Sequence, residues 1–471
     1  MHQPPLNPQR ELAPLRPPNK ALCKADGPAT FKDITFNLTQ NPKAMIRLLL
    51  VIALCVVSPN AFAAPIDSLL SSKNLWENKP ADFFEVATKL GYEWTSNAQD
   101  SLRVAGGRIT AFGLPVVESI CRFKEGKITE ILIMFYARGD AGDLAKEQFD
   151  HLVRVAAEAV NHATATKFTP RGKDPNNAVK ADGLIWQTEM AHYLLEFSFT
   201  KEMKSRGIPF RAEFVRLEIT PPVKNGGQVA LSKSASPSKF SGASHIKRDL
   251  ASGDVWLGDV PMVDQGQKGY CVVAATERVM RYYGIAVDQQ ELAQAANSSA
   301  EGGTSGDAML STLKKLSNRL KVRVREIEKF DIKQIVELIT EYNRAAKRVG
   351  TTLIPDQGGT INVSDVYRSM DVDVLREVRN KNKSDLARFS RAIQTYVDEG
   401  TPLLWMVILG KVPETGIPQI AGGHMRLIIG YNSKTNEVLF SDSWGAGHEL
   451  KRMSASDAWT ITNGTICIEP Y

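Results

Sequence analysis

The sequence predicts an α+β protein built in two folded parts, and three observations lead to that reading. The chain has 471 residues, about twice the length at which a single hydrophobic core stops growing. Both halves mix apolar alternation, the mark of a strand with one buried face, with apolar residues at helical spacing. Between Pro221 and His245 the composition turns to Ser, Gly, Pro and Lys, as in the run Ser234 to Lys239, which reads as a linker. The expected organisation is an N-terminal extension and signal segment over residues 1–63, an α+β domain over 64–220, a linker over 221–249, and a second α+β domain over 250–471.

Bulk composition narrows the function. A hydrophobic fraction of 43% suffices for burial, and 34 Gly with 24 Pro give no collagenous or disordered bias. The formal net charge of +6, from 58 basic and 52 acidic residues without a like-charged run, argues against nucleic acid as a partner.

The first organised element is a targeting segment. Lys43 and Arg47 precede an apolar run from Leu48 to Val57, and Ala61-Phe62-Ala63 follows before Ala64. This is a secretory signal pattern with cleavage expected near Ala63, and the run is too short for a permanent membrane span. The mature protein is expected outside the cytoplasm, periplasmic or extracellular. Residues 1–44 are Pro-rich and polar with no apolar face, which suggests that translation starts at Met45.

In the region that follows, Ile131, Ile133 and Phe135 alternate along one strand, and Leu195, Phe197 and Phe199 along another. Between them Phe149, Leu152, Val153, Ala156 and Val160 recur at helical spacing within Leu144 to His162. An open sheet with one or two helices is expected. Without a phosphate loop, metal spacing or nucleophile motif, binding or scaffolding is its expected role.

Export would leave three cysteines, Cys121, Cys271 and Cys467, an odd number in a compartment that permits disulfides. Cys121 and Cys467 sit in strand-like runs, and the sequence leaves open whether they are core residues or a bonded pair. Cys271 differs. It follows the turn-rich segment Pro261 to Tyr270 and opens a helix in which Val272, Thr276, Val279 and Tyr283 recur before Gly284 stops the pattern. A helix N-terminus presents free backbone N–H groups and the positive end of the helix dipole, which favour a thiolate. Gln265 stands six residues earlier, with Gly266 and Gly269 letting the backbone fold its amide back beside the thiol, and that amide suits stabilisation of an oxyanion; Gln267 is the competing candidate.

The pattern Pro261-x-x-x-Gln265-Gly266-x-x-Gly269-x-Cys271 resembles the active-site segment of papain-like cysteine peptidases. The resemblance implies a cysteine-bearing helix packed against an antiparallel sheet that carries a histidine and an Asn or Asp followed by Ser-Trp-Gly. His424 at the head of His424 to Tyr431 and Asp442 in Asp442-Ser443-Trp444-Gly445 match those positions, with a hairpin turn and returning strand between them. Val272 and Asp442 stand where papain has Trp and Asn; a Cys, His, Asp set is similar to that of the bacteriocin-processing peptidases that cut after a double glycine, and to their stand-alone bacterial relatives.

The resemblance thus implies catalytic roles for Cys271, His424, Asp442 and Gln265, with Trp444 covering the histidine. Gly302 and Gly303, ahead of a helical segment from about Asp307, are candidates for substrate binding. His448 is a weaker candidate base because its surroundings lack strand alternation, and His448-Glu449 has no second histidine to complete a helical zinc motif. The Ser311 to Lys314 pattern lacks the companion Lys-Thr-Gly of penicillin-binding enzymes.

The expected function is an exported thiol-dependent hydrolase that cuts peptide or isopeptide bonds in a peptide or protein substrate through a thioester, with no cofactor. A transpeptidase or amidase using the same three residues, and a non-catalytic binding protein that keeps the fold, are the alternatives. Oligomeric state is left open.

Overall fold

The structure, a computed structural model, describes residues 64–71, 74–171, 178–222, 240–299, 302–329, 331–358, 361–417 and 422–471. The signal segment and most of the Ser/Gly/Pro/Lys stretch lie outside these residues. The described residues form one compact unit containing two sheets.

The main strands of the first sheet are β1 (Ser101–Ala111), β2 (Leu114–Lys124), β3 (Lys127–Ala137), β4 (Asp182–Gln187), β5 (His192–Thr200) and β6 (Arg211–Thr220). They lie antiparallel in the order β1-β2-β3-β6-β5-β4. Helix α1 (Lys146–Thr164) buries Phe149, Ala156, Ala157 and Val160 against one face, as the helical spacing predicts. That core also takes Ile131, Ile133 and Phe135 of β3, the alternating set read from the sequence.

The intervening residues of β3, Leu132 and Met134, are buried too, on the opposite face. A strand apolar on both sides needs two partners. The second cover is the C-terminal region: Leu132 and Met134 share a cavity wall with Met262, Val263 and Glu277.

The second sheet is built from β7 (Ile246–Asp249), β8 (Asp254–Leu257), β9 (Val322–Glu328), β10 (Leu403–Leu409), β11 (Gly422–Asn432), β12 (Glu437–Ser441), β13 (Lys451–Ser454) and β14 (Thr462–Pro470). Its order is β7-β8-β11-β10-β14-β9, with β12 pairing both β11 and β13. Helix α2 (Cys271–Tyr282) packs on this sheet, sharing a core of Val272, Val273 and Met280 with Met425 and Leu427 of β11. Helices α3 (Gln289–Ala296) and α4 (Gly306–Leu320) follow, each capped by a side chain, Asp288 for α3 and Ser305 for α4. This is the expected helix on an antiparallel sheet.

Buried charge joins the two regions. Arg216 of β6 pairs with Glu196 of β5 and reaches Asp288 and Glu291 at the head of α3. Arg138 bonds the Ser298 carbonyl, and Ser198 Oγ donates to Gln294 Oε1 at 2.8 Å. Cys121 and Cys467 are free thiols buried in different cores, so the bonded pair that the sequence left open does not form.

Candidate active site

The segment before α2 is shaped by its own polar groups. Asp264 Oδ1 accepts the Gly266 N–H at 2.8 Å, and Gly266 takes a left-handed φ of 69°. The Gln265 N–H donates to the Ser443 carbonyl at 2.9 Å, tying this turn to the segment after Asp442. No side chain caps the start of α2, so its first backbone N–H groups are left to face whatever sits at Cys271.

The N-terminal sheet grips the same turn from outside. Arg103 of β1 pairs with Asp264 at 2.9 Å, and Asp140 pairs with Lys268 at 2.5 Å. Tyr270, the residue before Cys271, sets its hydroxyl end against Gly139, where any Cβ would overlap it.

Cys271 is partly exposed and lines a cavity of about 290 Å³ with His424, Met406, Gly423, Asn463 and the stretch Thr304 to Asp307. His424 is buried at the head of β11, with Nε2 hydrogen-bonded to Asp442 Oδ1 and the rest of the ring engaged by the Cys271 thiol. Trp444 stacks on the imidazole at 4.5 Å with the rings only 12° apart, covering one face of the ring.

Charge placement explains the protonation pattern. Burial raises the Cys271 thiol, but the His424 hydrogen bond and charge, with backbone N–H groups of Met425 and Val272, outweigh it and hold the thiol below its usual range. Burial works against a charged His424, yet the bonds to Asp442 and Cys271 push it up to about 9. For Asp442 burial is again the largest effect, opposed and overcome by His424, Arg426 and Arg278, so its carboxyl stays below the usual range. The three shifts together favour thiolate, imidazolium and carboxylate.

Two arginines not singled out from the sequence hold this arrangement. Arg278, on α2 two turns beyond Cys271, donates to the Asp442 carbonyl at 2.8 Å and to the Pro261 carbonyl at 2.8 Å. Arg426, two residues beyond His424 on the same strand face, lies between Asp442 and Glu414. Its Nε is 2.8 Å from Asp442 Oδ2, close enough for an ion pair although the N–H is not aimed at that oxygen. Spacing was the available signal: i+7 on a helix and i+2 on a strand return a side chain to the face that carries Cys271 or His424.

The remaining candidates fall as follows. Gln265 is buried, donates through Nε2 to the Lys268 carbonyl at 3.3 Å, and leaves Oε1 without a partner. Gln267 is exposed. Gly303 lies on the Gly269 backbone, where a Cβ would come within 2.6 Å of the carbonyl oxygen, and Gly302 faces Ser299. The wall beside Cys271 comes instead from the next residues, Thr304 to Asp307. His448 turns its ring edge to Trp444 at 5.6 Å, and its backbone carbonyl accepts the Asp442 N–H at 2.9 Å, a supporting position behind the histidine stack.

Residues 257–467 match the model of the Peptidase_C39 like family. This region is similar to that family, in agreement with the papain-like cysteine peptidase resemblance read from the sequence, and the match spans Cys271, His424 and Asp442. No curated protein matches the chain. Among the described residues no helix is long and apolar enough to cross a membrane.

Proposed function

We propose that the protein is an exported thiol-dependent hydrolase that cuts peptide or isopeptide bonds, with Cys271 as nucleophile, His424 as acid and base, and Asp442 as the group that orients His424. The observation that carries this reading is the placement of Cys271 at an uncapped helix end, against the buried His424 and open to a cavity.

In this mechanism the thiolate adds to the scissile carbonyl. The carbonyl oxygen becomes an oxyanion beside the Cys271 backbone N–H and the remaining amide hydrogen of Gln265. Collapse breaks the C–N bond as imidazolium gives its proton to the leaving amine, forming a thioester. Neutral His424 then takes a proton from water as the water attacks, and release of the acid restores thiolate and imidazolium. Asp442 keeps the ring in one tautomer and one orientation throughout.

The test is mass spectrometry of a mixed peptide library incubated with wild type and Cys271→Ala. Cleavage by wild type alone supports the proposal; equal product sets would refute it. Export rests on the signal pattern before Ala64, and the mature chain is expected to begin there after translation from Met45. An intact Met1 on the secreted protein would overturn that part.

A further inference from the structure

Resting on the peptidase reading, we propose that the substrate segment carrying the leaving amine lies in a groove between Trp444 and strands β1 and β2, so that the N-terminal sheet forms half of the substrate-binding surface. The groove measures about 960 Å³ and is separate from the cavity that holds Cys271. One wall is Gly266, Gln267, Trp444 and His448; the other is Val104 to Arg108 of β1 with Pro115 to Val117 of β2.

Proton transfer fixes which part of the substrate runs there. The departing nitrogen must reach His424, and Trp444, stacked on that ring, is the floor over which the chain beyond the nitrogen continues. The acyl part is held to Cys271 and occupies the cavity walled by Thr304 to Asp307.

The opposite wall suits an extended polypeptide. Pairing of β1 with β2 is interrupted between Ala105 and Ile109, which takes Gly106, Gly107 and Arg108 off the ladder and leaves them exposed. Gly106 and Gly107 have φ of 84° and 68° with open space where a Cβ would stand. The two glycines of this bulge leave backbone donors and acceptors bare to another chain, the mode by which strand edges bind peptides. The wall is also fixed in place, because Arg103–Asp264 and Asp140–Lys268 bolt it to the turn before Cys271. A preformed groove avoids the cost of ordering its walls on binding.

The experiment uses the full chain and two series of internally quenched peptides with the same acyl part, one with a short and one with a long leaving-group arm. Ala105→Trp places bulk in the groove without touching a glycine. The ratio of kcat/KM for long over short arms is expected to fall about tenfold. Arg108→Glu, on the exposed rim, is expected to move the preference between acidic and basic residues in the long arm by several fold toward basic ones. If neither variant changes the ratio or the charge preference, the groove assignment is wrong. If wild-type Cys271 alkylates like an ordinary thiol and neither series is cut, the peptidase reading fails and takes the groove with it.

Discussion

Two ionic clusters are buried to nearly the same depth, and they do different things. Around Arg216, the charges of Glu196, Glu291 and Asp288 join the N-terminal sheet to α3. Around His424, the charges of Asp442, Arg426 and the Cys271 thiol end at a cavity. Arg216 is held charged at any working pH, since its carboxylate partners more than offset the burial. The His424 cluster contains groups whose proton affinities have been moved in opposite directions and past each other, the thiol down and the imidazole up. Burial and ion pairing therefore do not mark a reactive site by themselves. What sets the second cluster apart is a titratable thiol at its open edge, the feature on which the proposed function rests.

Substitutions in each cluster separate the two roles. The largest effect is expected for Cys271→Ala, a loss of hydrolysis on the order of 10⁶-fold with unfolding stability nearly intact, read from peptide cleavage and urea unfolding. Residual cleavage near the wild-type rate would move the nucleophile elsewhere. Asp442→Asn comes next, with a fall of about 10⁴-fold in kcat and a lowered His424 pKa by NMR titration. Should the histidine titrate as in wild type, Asp442 does not orient it.

Arg216→Ala removes the cation shared by Glu196, Glu291 and Asp288, although Glu196 keeps Arg171, and is expected to cost about 3–5 kcal/mol in stability. In whatever fraction stays folded, the pH dependence of Cys271 alkylation should be that of wild type. A changed thiol pKa there would mean that the two clusters are coupled. The smallest effect is Trp444→Ala, about a tenfold loss in kcat/KM from hydration of the His424–Asp442 bond. Full activity in this variant would reduce Trp444 to a packing residue.

The same shifts set the pH dependence of stability. His424 binds its proton more tightly folded, at about 9, than unfolded, so its contribution is complete below about pH 6.5 and is lost as pH rises through about 9. Asp442 is held below its usual range, so its contribution is complete above about pH 4 and is lost as pH falls through the folded value. His424→Ala should remove the alkaline loss expected in urea unfolding; an unchanged alkaline limb would assign it to another group.

Much of the site was legible because its residues are bound to local patterns. A turn-rich approach to a helix start singled out Cys271, and the resemblance of that segment to papain-like cysteine peptidases pointed to His424 and to the Asp442 of Asp-Ser-Trp-Gly. The arginines that support them were hidden, since Arg278 and Arg426 read as ordinary members of a helix and a strand until those elements are packed together.

The N-terminal sheet shows the opposite case. Ile131 to Phe135 was read for its alternation, although all five residues are apolar, the mark of a strand covered on both faces. What covers the second face depends on contacts across more than a hundred residues, such as Arg103–Asp264, which no local spacing encodes.

The central claim is that Cys271 is kept as a thiolate by His424. The most direct measurement is the rate of Cys271 alkylation by iodoacetamide against pH, in wild type and in His424→Ala. The account predicts rapid alkylation well below the ordinary thiol pKa of about 8.5 in wild type, and a return to ordinary thiol behaviour in the variant. Identical profiles in both proteins, each rising only near the ordinary value, would contradict it.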